Sequence, residues 1–424
     1  MRILHVVEAT LAGVGRHVTD LAGAQSEAGH EVVVAFGTAR ESDAFRRMRG
    51  ELHRIRWQPI AIPLRPGPSL AGAVRTSWRM IRTFRPHVVH GHSTVGGVVA
   101  RLAPPGPWRI VYTPNAVYSM NPDLSRHLRL GVDAVERTLA RRTDTIIAVS
   151  PEERDHLLTL GVDASRVRVV ANGIPPVHRA DRDDVRRSLG LPEGAPVLGF
   201  VGRLDHQKAP HHLLDAFEIV APARNDVRLL VVGDGQLRAE LDGRLASLPP
   251  SVADRVHLVG ERPGTWAMAA MDLLVQPSRY EGFSYVLIEA AHLGLPMVVS
   301  SAAGSALLRD GPAELVEVPV GDVPRFADAC LRVLDRWPVE PGLATDRRFT
   351  IERMAELTEL AYAARPIDVD RTSNRPVDLR FADTSDTTDA ADGPSTTRQR
   401  HLRLVEGPDD VGEPSARTEA PRQP

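Results

Sequence analysis

Lys208, in the stretch VGRLDHQKAP (201–210), is the only lysine in a chain of 424 residues, since every other member of its 52 lysines and arginines is an arginine. A lysine retained against so strong an arginine bias suggests a position that needs a compact, flexible ammonium in place of a planar fork. The plainer alternative is a solvated side chain on a surface loop. The neighbourhood favours chemistry. The apolar run VLGFVG reads as a strand ending in Gly202, and Arg203 and Lys208 follow on the loop at its carboxyl edge. A fork and a mobile point charge, beside a glycine that admits a ligand to the backbone, suit a phosphate or diphosphate.

A second group lies in RYEGFSYVLIEAAHLGLP (279–296). Gly282 permits a close approach, Ser284 is a candidate N-cap, and the apolar pattern from Tyr285 onward reads as a helix whose first amides can meet an anion. The helix dipole adds about 0.3–1 kcal/mol for a negative charge there. Glu281 falls on the loop before this helix and Glu289 on an early turn, so both can face one ligand. Carboxylates repel phosphate, so they would accept hydrogen bonds from the hydroxyls of a sugar or ribose. Spacing alone equally allows Glu289 on a solvated helix face and Glu281 merely complementing the dipole. The VVGDGQLRAEL stretch (231–241) reads as a tight strand-to-helix turn in which the glycines are structural. His90 and His92, in VVHGHS, end a strand; with no third ligand evident, they read as satisfied histidines and not as a metal or catalytic pair.

Two series of apolar, strand-length runs must position these residues. RILHVVE, HEVVVAF, PHVVHG, RIVYTP, DTIIAVS and RVRVVANG form the first, separated by helical patterns at 15–28, 69–84, 123–142 and 151–160; Pro151 suits a first helical turn. APVLGFVG, VRLLVVGDG, RVHLVG, DLLVQPS, LPMVVSS and AELVEV form the second. Continuous Val/Ile runs alternating with helices mark parallel sheets covered on both faces. The fold class is therefore α/β, with two Rossmann-like doubly wound domains facing a cleft, and ligands bind such sheets at the carboxyl ends of their strands. The expected boundaries are 1–176, 177–345, a closing helix in 346–364 and a disordered tail over 365–424. That tail is rich in Asp, Thr, Pro and Ser and lacks an apolar face, although HLRLVEG within it could order on a partner.

Composition narrows the classes further. The net charge of −2 gives no global attraction to nucleic acid, and none is expected as a partner. The single cysteine, Cys330, excludes an internal disulfide and a multi-cysteine zinc site and fits a reducing cytoplasm. No stretch is long and apolar enough to span a bilayer. RTSWRMIRTFR (75–85) either touches anionic headgroups peripherally or is an amphipathic helix with a solvated basic face. The Asp-x-Asp pair Asp368 and Asp370 falls in the tail and is given no metal role.

FVGRLDHQK, VVGDGQLR, PSRYEGFSYVLIEAAHLGLPMVVS and AVSPEERDHLLTLGVDASRVRVVANGI occur together in a chain that, from about residue 2 to 363, resembles the family 4 glycosyltransferases of GT-B architecture. The resemblance implies a nucleotide-sugar donor on the second domain and transfer with retention of configuration to a glycan, lipid-linked or small-molecule acceptor. It implies Arg203 and Lys208 on the diphosphate, Glu281 at the sugar, Glu289 at the ribose, and the amides of Phe283, Ser284 and Tyr285 on phosphate and sugar. Gly260 and Glu261 are candidates for contacts to the base. LAGVGRHV (11–18) resembles the family's glycine-rich loop, with Gly13 and Gly15 near donor and acceptor and Arg16 and His17 opening a helix. The family's frequent double glycine is absent there, and Asn115 stands where many relatives carry a histidine; asparagine cannot serve as a general base near neutral pH. Asn115, Arg16, His17 and His92 are the acceptor-side candidates. No cofactor or metal is expected. A non-catalytic nucleotide-sugar-binding subunit of a glycan-assembly complex is the competing reading, and a pyridoxal phosphate enzyme would require the sole lysine outside its diphosphate motif.

Overall fold

The computed structural model describes residues 1–64, 67–336 and 346–363. The tail expected over 365–424, with Asp368, Asp370 and HLRLVEG, lies outside the described residues, as does 337–345 at the end of the second domain. In the first domain β1 (Arg2–Val7), β2 (Glu31–Gly37), β3 (Arg56–Ile60), β4 (Val88–His92), β5 (Arg109–Thr113), β6 (Thr145–Ala148) and β7 (Val167–Val169) form one sheet in the order β3-β2-β1-β4-β5-β6-β7. In the second, β8 (Val197–Val201), β9 (Arg228–Val232), β10 (Val256–Leu258), β11 (Leu273–Gln276), β12 (Met297–Ser300) and β13 (Leu315–Val318) are ordered β10-β9-β8-β11-β12-β13. Every pairing in both sheets is parallel.

Both orders reverse direction beside their first strand, between β1 and β4 and between β8 and β11. Those are the points where helices on either side of the sheet diverge and leave a crevice at the strands' carboxyl ends. The loops after β1, β8 and β11 open onto that crevice, joined by those after β5 and β9. The central strands are buried on both faces, with Leu4, Val6, Val33 and Val89 in one core and Leu198, Phe200, Leu229, Val231 and Val298 in the other. Such strands lack polar alternation, which is why they read as continuous apolar runs.

The helix Ile351–Ala363 returns to the first domain, where Met354, Ala355, Ala361 and Tyr362 pack among Ile3, Leu21, Val88, Val111 and Ile147. The arginine-rich stretch 75–85 falls largely in the helix Leu70–Phe84, which buries Ala73, Ser77 and Ile81 and exposes Arg75, Arg79 and Arg82. Among the described residues no helix is long and apolar enough to cross a membrane.

Candidate active site

The second-domain wall starts where β8 runs out. Gly202 N donates to Val232 O at 3.0 Å, and Lys208 N donates to Asp205 Oδ1 at 3.0 Å, so the loop between them is held as a fixed turn. The Lys208 ammonium lies 2.7 Å from Glu281 Oε1 and 3.4 Å from Ser284 Oγ, and it is largely withdrawn from solvent. Ser284 does occupy the N-cap position of the helix Tyr285–His292, but its side chain makes no capping bond. Its hydroxyl meets Lys208 instead, leaving the first-turn amides without a side-chain cap. Gln207 fastens the arrangement by donating to Tyr280 O at 3.0 Å and Glu281 Oε2 at 3.4 Å. Arg203 is half exposed, its Nη2 2.9 Å from Asp205 and 3.1 Å from Gln207 Oε1, so it can swing where Lys208 cannot.

The first-domain wall faces it across a cleft of about 640 Å³, within the range of small-molecule sites. Gly13 is set against the opposite domain: a Cβ there would sit 3.5 Å from the Tyr285 ring. Arg16, in the first turns of the helix Ala12–Glu27, stacks over that ring at 4.6 Å and donates to Glu289 Oε1 at 2.5 Å. Asp20 lies 3.4 Å from the same guanidinium. Burial pushes the Asp20 carboxyl up to about 6, with Arg16 opposing the shift and Glu289 adding to it. Glu289 is only 8% exposed, so a solvated helix face is excluded. The paired glutamates also do not share one partner, for Glu281 holds Lys208 and Glu289 holds Arg16.

Asn115 lies on this cleft in a left-handed turn, φ +55°, followed by Ala116 at +80°. Asparagine tolerates that region and alanine does not favour it. Glu153 holds the turn, accepting from Ala116 N and Val149 N at 2.7 Å each. Burial raises the Glu153 carboxyl to about 7 against the pull of those backbone bonds. Gly282 packs directly on this turn, since a Cβ there would lie 2.7 Å from Ala116 N.

Gly13, Arg16, Asn115, Gly202, Arg203, Lys208, Glu261, Glu281, Gly282, Phe283, Ser284 and Tyr285 thus line one cleft. Gly15 and Gly260 stand a layer back: Gly15 closes the turn against Thr10, and Gly260 O accepts from Gly233 N at 2.9 Å. His17 and His92 are buried beneath the wall, at 2% and 0% exposure, and not on the acceptor side of the cleft as their sequence positions suggested. Burial drives His17 to about 4 and His92 well below the ordinary imidazole value, so both rings are neutral near pH 7.

The third histidine that sequence reasoning missed is His5, which pairs in register with His90 across β1 and β4. His5, His90 and His92 bring a ring nitrogen each to within 4.8 Å of one another. Hydrogen bonds engage these rings: His5 with His92 at 2.9 Å and Gln25 at 2.8 Å, and His90 with Thr113 and Tyr362 at 2.8 Å each. The cluster ties the closing helix to the core of the first domain.

Sequence reading also missed Asn172, whose Nδ2 donates to Phe283 O at 2.9 Å while its Oδ1 bonds His17 at 3.0 Å, linking the two domains. Nor did it place Asp234 on the cleft. The glycines around Asp234 are required by the backbone: Gly233, at φ +137°, would put a Cβ 1.9 Å from Gly202 O.

Residues 11–178 match the family described as Glycosyltransferase Family 4, and residues 195–336 match that described as Glycosyl transferases group 1. A 2-deoxystreptamine glucosyltransferase of Streptomyces kanamyceticus is 30% identical over 285 residues, covering 63% of this chain and 73% of the relative. The chain belongs to glycosyltransferase family 4. Glycogen synthase of Mycobacterium tuberculosis strain H37Rv is 27% identical to this glycosyltransferase over 364 residues, 79% of this chain and 86% of the relative. Two solved structures share the fold. Sucrose-phosphate synthase from Thermosynechococcus elongatus superposes with a TM-score of 0.69 at 20% identity, over 86% of this chain and 98% of that one. Anabaena HepE, solved in complex with UDP and glucose, gives 0.70 at 20% identity, over 86% and 100%. The GT-B architecture expected from the sequence is the architecture observed.

Proposed function

We propose that this glycosyltransferase takes a sugar from a nucleoside-diphosphate sugar and passes it to a hydroxyl of a glycan, lipid-linked or small-molecule acceptor with retention of configuration. The observation that carries the proposal is the cluster of Lys208, Glu281 and Ser284 at the uncapped start of the helix Tyr285–His292, facing the glycine loop of the first domain. HepE was solved with UDP and glucose, which supports a nucleotide sugar as donor.

Lys208, Arg203 and the first-turn amides would bind the diphosphate, Glu281 the sugar hydroxyls and Glu289 the ribose. In a front-side displacement, the acceptor oxygen bonds to the anomeric carbon on the face from which the phosphate oxygen departs. That phosphate oxygen takes the acceptor's proton and the nucleoside diphosphate leaves. The step needs no protein base, consistent with Asn115, which cannot act as one. The cations and helix amides stabilise the charge that develops on the leaving group, and these fixed positive groups make catalysis without a divalent metal the expectation. Closure of the cleft would exclude water and suppress donor hydrolysis.

The test pairs binding with turnover. A panel of uridine, guanosine and adenosine diphosphates and their sugars is screened by thermal shift, since a ligand selective for the folded state raises apparent stability. The base series that stabilises the protein is then assayed with acceptors for nucleoside diphosphate release, with and without chelator, and the product anomer is read by NMR. Acceptor-dependent release with a retained anomer supports the reading. Binding without turnover across the acceptor panel would replace it with the non-catalytic subunit.

A further inference from the structure

Glu289, the carboxylate assigned above to the ribose, is occupied. Arg16 reaches it from the other domain at 2.5 Å and separates it from the cleft that Arg16 itself lines. The guanidinium is held on three sides, by Glu289, by the Tyr285 ring at 4.6 Å and by Asp20 at 3.4 Å. We infer that Arg16 is a cross-domain plug on the nucleoside site, which a donor must displace from Glu289 and which the donor's own diphosphate then accommodates. The inference rests on the donor-site reading and adds to it a way of rejecting nucleosides that lack phosphate.

The logic is a comparison of partners. A ribose diol is neutral, and in competing for a buried carboxylate it must displace a charge-assisted hydrogen bond, which is roughly twice as strong as a neutral one. Moved off Glu289, the guanidinium needs another anion. A nucleoside offers none; a nucleoside diphosphate does. Tyr285, over which Arg16 already stacks, is the first residue of the helix, and Glu289 follows it by one turn. The distance from Glu289 to the anion site at the helix start is therefore about one helical pitch, roughly 5.4 Å, which a side-chain rotation of Arg16 covers. Gly264 places no side chain over the other carboxylate oxygen: a Cβ there would sit 3.4 Å from Glu289 Oε2.

The experiment uses the full chain and calorimetric titration with a nucleoside and its diphosphate, in the base series whose diphosphate stabilises the wild type among uridine, guanosine and adenosine. Arg16→Met should tighten nucleoside binding roughly three- to fivefold, the range of a partly exposed ion pair, and weaken the diphosphate, so that the preference for diphosphate collapses. Arg16→Lys, which keeps a charge at the site, should keep that preference and shows that the change does not come from misfolding. Weaker nucleoside binding in Arg16→Met would overturn the inference. Glu289→Gln, made in the Arg16→Met background, examines the underlying assignment separately. It should lower affinity for both ligands, and unchanged affinity for both would refute the ribose role of Glu289 itself. Failure of all three diphosphates to bind wild type would overturn both readings.

Discussion

Lys208 shows what one ammonium does that a fork would not. Its Nζ stands between a carboxylate at 2.7 Å and a hydroxyl at 3.4 Å, in a site with little exposure. A guanidinium is longer and planar, so from the same backbone position it would set its nitrogens in different places. If Lys208 stabilises the departing diphosphate, Lys208→Ala should lower kcat by about 10²–10³, the loss typical of removing one donor from a developing oxyanion. Lys208→Arg should lose at least about tenfold, because the charge survives but its position does not. Steady-state release of nucleoside diphosphate measures both, and an Lys208→Arg enzyme with wild-type kinetics would return the residue to an ordinary structural ion pair.

At the scale of elements, Gly282 is a point where the backbones of the two domains pack directly against each other. A Cβ at 282 would press on Ala116 N at 2.7 Å and Val149 Cγ2 at 2.9 Å, and a backbone nitrogen held by Glu153 has nowhere to go. Gly282→Ala should cost about 1–3 kcal/mol in denaturant unfolding, as overpacking does, and reduce turnover by separating the Glu281–Ser284 loop from the Asn115 turn. Gly131→Ala is the control. That glycine lies inside the helix Arg126–Ala140 with nothing near its missing Cβ, so alanine there should stabilise by about 0.5–1 kcal/mol. Elements of this kind were legible in the sequence where burial imposes a pattern. All six runs of the second series became strands, and the first series lacked only β3, an edge strand whose RWQPI contains a proline and has little buried apolar surface. The helix beginning after Ser284 was legible from its N-cap position and apolar run, although Ser284 does not cap it. What no local pattern encodes is pairing across the chain. Arg16 and Glu289 are 273 residues apart, Asn172 reaches Phe283 over 111, and His5 joined His90 and His92 only because the sheet order sets β1 beside β4.

At the scale of the whole molecule, the histidine group under the cleft is a store of pH-sensitive stability. Burial takes His5 and His17 from 6.5 to about 4 and His90 and His92 well below 6.5. Between pH 6.5 and 4 the unfolded chain binds protons at these positions that the folded chain refuses. Stability is therefore lost as pH falls through that window, by up to about 1.4 kcal/mol per pH unit for each ring. Asp20 and Glu153 act in the opposite sense. Their folded carboxyls titrate at about 6 and about 7, above the ordinary 3.8 and 4.5, so the folded chain binds the extra proton and stability rises as pH falls toward those lower values. Four rings oppose two carboxyls, so acid should win. Stability from urea unfolding should decline as pH falls from about 6.5 to 4, and the contributions of His5 and His17 end near 4, where the folded rings take up protons. Asp20→Asn removes one compensating carboxyl and should steepen the decline between pH 6 and 4 by up to about 1.4 kcal/mol per pH unit. A protein as stable at pH 4.5 as at pH 7 would mean that the rings take up protons within the fold, and that the buried hydrogen-bond network from His5 to Tyr362 opens at a cost smaller than its burial implies.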